Sequence, residues 1–204
     1  MLKVLERDGL SLDLLAMLSY RSELGISLKR NLHYFDKTKV MDEILAMREW
    51  YDDQDALYTL ALDYRVKSIQ SALAKFDRYY PDHQARKVFD DILGLRSLVD
   101  NYSDILGCQD IPQLRIVDMS RGKANDDGYR GVHAYFQIDN FHYPIEIQYN
   151  TYYDRQLNNW LHKYLYKKGY PLDIGRELRA RYECGEIINE NEFKEALDNV
   201  LHRG

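Results

Sequence analysis

The feature that most limits what this chain can fold into is a change of period along it. From Gly131 to Ile138, and again from His142 to Tyr149, apolar and polar residues alternate one by one, with Asp139, Asn140 and Phe141 between the two runs. Strict alternation sends successive side chains to opposite faces, so the two runs predict paired strands. One face carries Val132, Ala134, Phe136, Ile138, Tyr143, Ile145, Ile147 and Tyr149; the other carries His133, Tyr135, Gln137, His142, Glu146 and Gln148. The first third of the chain has helical spacing instead. Ser11 is placed to cap a helix with Leu14, Leu15 and Leu18, and Lys39 to Trp50 gathers Val40, Ile44 and Met47 on one side. Between these regions Tyr58 to Lys67 alternates again, predicting a strand with Tyr58, Leu60, Leu62, Tyr64 and Val66 on a buried face and Arg65 and Lys67 on the other.

Ser68 then reads as the cap of a helix running to about Tyr80, where Pro81 closes it. Further strands are expected between Asp91 and Val99 and between Gln113 and Met119, which makes about five in all. Helices near Tyr152–Lys168, Ile174–Tyr182 and Asn191–Leu201 complete the chain. The expected class is α+β, a mixed five-stranded sheet flanked by helices. Its 204 residues suit one domain, with N-terminal helices over 1–57, a catalytic core over 58–168 and C-terminal helices over 169–204.

Composition narrows the function classes. With 28 Lys and Arg against 33 Asp and Glu, the formal charge of -5 argues against broad nonspecific binding of nucleic acid and leaves room for a local basic cleft. Two cysteines, Cys108 and Cys184, cannot make a four-ligand zinc site or a multi-disulfide framework, and they fit a reducing cytoplasm. Charged residues interrupt the leucines of the first twenty positions, and no run of about 18 apolar residues occurs, so neither export nor membrane insertion is expected.

If the face of Arg65 and Lys67 continues into that of His133, Glu146 and Gln148, one surface displays cations, a carboxylate, an amide and an imidazole. That outlines a site for a polyphosphate and a metal ion; it equally fits a solvated sheet face with incidental ion pairs. Ser71 and Lys75, four apart, share one side of the helix after Ser68. Asp90 and Asp91 precede the strand bearing Arg96, and with Glu146 they could hold Mg²⁺ through oxygen ligands, or simply cap a turn. The polar loop from Ser120, with Arg121 and Lys123, ends at Tyr129, whose ring could lie on a nucleobase or pack on the surface. Lys29 and Arg30, with Lys37 and Lys39, form the best basic cluster on the N-terminal helices. Along the late helix His162 pairs with Tyr166, and Lys163 with Lys167, at i,i+4. There is no nucleophile motif, no Walker-type glycine loop and no metal-ligand histidine cluster.

Taken in order, Arg65-Val-Lys67-Ser68 with Ser71 and Lys75, Asp91-Ile-Leu-Gly94-Leu-Arg96, Gly128-Tyr129-Arg-Gly-Val-His133, Ile145-Glu146-Ile-Gln148 with Thr151, and His162-Lys163 with Tyr166-Lys167 resemble the synthetase domain of the RelA/SpoT family over about residues 58–168. The resemblance implies a pyrophosphokinase that moves the β,γ-pyrophosphate of ATP to a nucleotide 3'-hydroxyl. It implies that Arg65, Lys67, Ser71, Lys75 and Arg96 hold ATP and that Asp91 and Glu146 bind Mg²⁺, with Glu146 a candidate general base. Tyr129 would stack on the acceptor, with His133, Gln148, Lys123 and His162 around it. Where guanosine-alarmone makers usually carry Asn, Arg-Thr and Glu, this chain has Asp127, Tyr149-Asn150-Thr151 and Leu161. Those departures, and the short C-terminal helices, look like the toxic small alarmone synthetases of toxin–antitoxin pairs, several of which modify the 3'-CCA end of tRNA. The expected partners are therefore the tRNA 3'-CCA end, contacted also by Lys29 and Arg30, and a cognate antitoxin protein. Two alternatives stay open: an alarmone synthetase using GDP, GTP or an adenosine nucleotide, and an inactive nucleotide- or RNA-binding module.

Overall fold

A computed structural model describes residues 3–166 and 168–202. Lys167, one half of the expected Lys163/Lys167 pair, lies outside the described residues. The elements run α1 (Lys3–Arg7), α2 (Leu12–Met17), α3 (Lys37–Asp52), α4 (Asp55–Thr59), β1 (Asp63–Val66), α5 (Ile69–Tyr79), α6 (Ala85–Val88), β2 (Leu93–Leu98), α7 (Ser103–Leu106), β3 (Leu114–Asp118), β4 (Val132–Phe136), β5 (Ile145–Asn150), α8 (Tyr152–Tyr164), α9 (Leu172–Glu183) and α10 (Glu190–Leu201). The five strands form one mixed sheet in the order β1-β2-β5-β4-β3, with helices flanking it, the expected class. No described helix is long and apolar enough to cross a membrane.

The chain separates into two compact units, one comprising the chain up to Ser97 with Ser103–Ile116 and His133–Gln148, the other Leu98–Tyr102, Val117–Val132 and the chain from Tyr149 onward. In the first unit α3 packs on α5. Asp36 caps α3 by accepting from the Lys39 amide, which starts the helix two residues before the expected Lys39, and Val40, Ile44, Met47 and Tyr51 are buried along one stripe. Ser68 caps α5 by accepting from the Ser71 amide, and Ala72 and Phe76 are its buried residues. In β4 the expected alternation holds throughout, Val132, Ala134 and Phe136 buried and His133 and Tyr135 half-buried.

The second unit has its own apolar centre. Leu157, Trp160 and Leu161 of α8 meet Leu178 and Tyr182 of α9 and Phe193, Ala196 and Leu197 of α10. Three helices with facing stripes bury one another here.

Two expected elements are corrected. The strand over Tyr58–Lys67 is only Asp63–Val66; Tyr58 and Thr59 belong to α4, and Tyr58 is 64% exposed. β1 lies at the edge of the sheet, where alternation need not mark a buried face. Instead of entering a core, Tyr58 packs edge-on against Tyr64, ring centroids 6.4 Å apart. The helix expected to reach Lys168 ends at Tyr164, where the Leu165 amide closes the last turn on the Leu161 carbonyl and the chain turns towards Gly169 at φ +71°.

Candidate active site

β1 and β2 run antiparallel with Arg65 opposite Gly94 and Asp63 opposite Arg96, which puts these four on one face of the sheet. Just past β1, the Lys67 amide donates to the Ile92 carbonyl and its own carbonyl accepts from Arg48, so the backbone is held where the strand ends. Lys67 is 8% exposed. An ammonium so buried needs a counter-charge, and its Nζ is 2.5 Å from Asp91 Oδ2. Lys75 from α5 reaches Asp91 Oδ1 at 3.0 Å, and the Arg65 guanidinium stands 3.8 Å from Oδ2. Three of the five residues expected to hold a triphosphate therefore converge on one carboxylate.

Ser71 stands in the exposed first turn of α5, where its hydroxyl accepts from that of Ser68 at 2.9 Å. Arg96 is half-buried beside Asp63 in the register.

Glu146 lies on the same face. Its Oε2 is 3.5 Å from the place that a Cβ on Gly94 would take, an ordinary contact distance, so the carboxylate lies against the bare glycine opposite Arg65. His133 Nδ1 at 2.9 Å and the Tyr135 hydroxyl at 3.1 Å engage Oε1, and Gln148 Nε2 donates to Oε2 at 2.7 Å. Burial pushes the Glu146 carboxyl up, but His133, Gln148 and Tyr135 more than offset it and hold the group at about 2. The Tyr135 hydroxyl, raised by burial and by the charge of Glu146, remains a donor. His133 and Gln148, expected around the acceptor, thus hold Glu146 in this structure.

Asp90 titrates in the opposite direction. Burial, joined by the charges of Asp91 and Glu146, pushes it up to about 6 against the opposing pull of Lys75 and Arg115. Arg115 Nη2 donates to Asp90 Oδ2 at 3.1 Å while its guanidinium lies 4.0 Å above the Tyr135 ring. Among the described residues no group of three or more His, Cys, Asp or Glu could hold a metal by itself. Asp91, beside Lys67 and Lys75, and Glu146, beside Gly94, each offer hard oxygen donors. Such a pair fits Mg²⁺ when substrate phosphates and waters complete its shell.

Beside Tyr135 opens a cavity of about 460 Å³, lined by Lys29, Arg86, Lys87 and Arg115 together with Gln113 and Gln137. Its cations correct the expected basic cluster. Lys29 and Arg30 sit in a turn rather than on a helix, and they diverge, since Arg30 lies over the Tyr34 ring at 5.1 Å. Lys37 is paired with Asp77 at 2.6 Å. Arg86 and Lys87, which no sequence motif singled out, stand adjacent in the chain on α6, a basic doublet that was the available signal.

Tyr129 belongs to the second unit. Lys123 Nζ lies 4.8 Å above its ring and also bonds Asp127 Oδ2 at 2.7 Å. His162 is exposed on the last turn of α8.

Solved structures similar to this chain include small alarmone synthetases. Small alarmone synthetase 2 of Bacillus subtilis is 21% identical, covering 78% of this chain and 97% of its own, with a TM-score of 0.47. Small alarmone synthetase 1 of the same organism, bound to its product pppGpp, is 22% identical over 81% of this chain and 90% of its own, with a TM-score of 0.44. A GTP pyrophosphokinase family protein of Streptococcus pneumoniae is 20% identical over 80% and 88%, with a TM-score of 0.45. No protein-family model and no curated protein matches the sequence.

Proposed function

We propose that this chain is an ATP-dependent pyrophosphokinase that transfers pyrophosphate to the 3'-hydroxyl of the tRNA CCA end and so acts as a translation-blocking toxin held in check by a cognate antitoxin. The observation that carries the transfer chemistry is the convergence of Arg65, Lys67 and Lys75 on Asp91, on the sheet face that also bears Glu146.

Phosphoryl-type transfer asks little covalent chemistry of a protein and much positioning and neutralisation of charge. Lys67 and Lys75, which Asp91 now engages, would exchange that partner for phosphate oxygens, while Arg65, Arg96 and Ser71 orient the same group. Asp91 and Glu146 would hold Mg²⁺, which supplies further neutralisation of the transferred group. With its carboxyl at about 2 and three donors on it, Glu146 suits holding better than taking up a proton. Tyr129 would stack on the terminal base.

The basic cavity beside Tyr135 supports a polymeric acceptor. Lys29, Arg86 and Lys87 line it together with Arg115, which Asp90 also engages, and Asp139, a local excess of positive charge on a chain of net charge -5 that suits a phosphodiester backbone rather than indiscriminate binding.

The test offers ATP labelled in its β or γ phosphate, with Mg²⁺, to deacylated tRNA, GDP, GTP and AMP in separate reactions. Label on tRNA is the expected result. Label on mononucleotides alone refutes the tRNA assignment and leaves an alarmone synthetase, and label nowhere refutes the enzyme.

A further inference from the structure

Arg179, in the middle of α9, is 1% exposed, and it takes no part in the chemistry above. Burying a guanidinium is costly unless its donors are matched. Here one donor is matched to the backbone of the loop that carries Tyr129 and two to side chains of α8. Nε donates to the Gly128 carbonyl at 2.8 Å, Nη1 to Asp154 Oδ1 at 2.8 Å, and Nη2 to Asn158 Oδ1 at 3.1 Å. Asn158 passes the grip on: its Nδ2 donates to the Arg130 carbonyl at 2.7 Å, and its Oδ1 accepts from the Arg130 amide at 3.2 Å. The peptide groups on both sides of Tyr129 are thus tied, directly or through Asn158, to one buried cation.

The same helix presses on the loop at a second point. Gly128 has φ +87°, and a Cβ there would stand 2.2 Å from the Gly175 carbonyl oxygen; a Cβ on Gly175 would stand 2.0 Å from that of Asp127. Two backbones meet with no room for a side chain on either.

We propose that Arg179 is a positioning residue for acceptor recognition: through Gly128 and Asn158 it sets the backbone on either side of Tyr129. This rests on the proposed role of Tyr129 in stacking on the acceptor.

The experiment measures transfer to deacylated tRNA by Arg179→Lys, Arg179→Met, Gly175→Ala and Tyr129→Ala proteins, with separate KM values for ATP and tRNA. Thermal melting and hydrogen exchange of the amides around residue 129 accompany each. Arg179→Lys keeps the charge and loses the fork, so it is expected to stay folded, raise the tRNA KM about tenfold, leave the ATP KM unchanged and speed exchange in the loop. Gly175→Ala is expected to shift the same parameter. If tRNA and ATP KM values move together, or only the melting temperature falls, Arg179 is merely structural and the inference is overturned. If Tyr129→Ala raises the tRNA KM while the Arg179 and Gly175 variants do not, the stacking role stands and the positioning role fails. A Tyr129→Ala protein with an unchanged tRNA KM overturns both.

Discussion

Gly94 and Glu146 share one small volume: the Glu146 Oε2 atom lies 3.5 Å from where a side chain on Gly94 would begin. A methyl group fits at that distance as an ordinary contact, whereas a branched side chain does not. Gly94→Ala is expected to keep pyrophosphate transfer within a few-fold, and Gly94→Val to lower it by about a hundredfold or more as Glu146 is displaced. Rates with labelled ATP and melting curves on both variants check this; equal activity of the two proteins would show that the space does not matter.

Lys67 and Asp91 are coupled inside the first unit. Breaking a buried pair costs about 3–5 kcal/mol when one charge is left alone. Lys75 and Arg65 remain near Asp91, so Lys67→Met is expected to cost less, about 1–3 kcal/mol, while abolishing transfer. Denaturant unfolding of both single variants and of the double variant with Asp91→Asn gives the coupling. Additive single effects would refute it.

Tyr135 supplies one of the donors that keep the Glu146 carboxyl near 2. Tyr135→Phe removes that donor with little change of shape, so the carboxyl is expected to move up towards its ordinary value. A depressed carboxyl gives stability above its unfolded value that fades as pH falls towards the folded one, and a smaller depression gives less. Carboxyl-carbon NMR titration of the metal-free protein reads the shift directly, and an unmoved midpoint would remove Tyr135 from the set.

Tyr143 donates to Glu43 at 2.6 Å in the interior of the first unit, where Glu43 also accepts from Ser22 and from the Glu23 amide. Burial, then the Glu43 charge, raises the Tyr143 phenol well above 10. A raised group stabilises fully below its unfolded value and loses that contribution as pH climbs past it, so unfolding is expected to become easier above about pH 10. Tyr143→Phe should be less stable at neutral pH, by about 1–3 kcal/mol, and show a shallower alkaline decline. Identical alkaline slopes would contradict this.

The cavity cations predict salt behaviour. Arg86→Ala or Lys87→Ala should weaken tRNA binding and lower the slope of log affinity against log salt by about 1 for each phosphate no longer neutralised. Transfer to a mononucleotide offered at saturation should not change. A slope unaffected in both variants would take the cavity out of tRNA binding.

Much of this fold could be read from the chain: the strands β4 and β5 follow from alternation, which tracks burial in β4 but not in β5, where Glu146 is buried too, and the caps at Ser11 and Ser68 follow from local chemistry. Tyr58 escaped because two tyrosines on a sheet edge can cover each other without a core. In the candidate site, Arg65, Lys67 and Glu146 were legible from strand alternation, and Lys75 and Asp91 joined them through the ordered motifs of the family resemblance. Gly94, Arg115 and Tyr135 gain their meaning only across strands, through a space, a stacked ring and a shared oxygen. Arg179 was illegible for a similar reason: an arginine on a late helix looks like any surface cation until its neighbours are known.

The burial of Lys67 makes it a reporter. An amine pinned to a carboxylate and closed off from water reacts slowly with acylating reagents, while the exposed amines of Lys29 and Lys87 react first. Mass-spectrometric labelling over time would therefore register at Lys67 only when this part of the molecule opens, giving a chemical clock for the breathing of the sheet edge at β1 and β2.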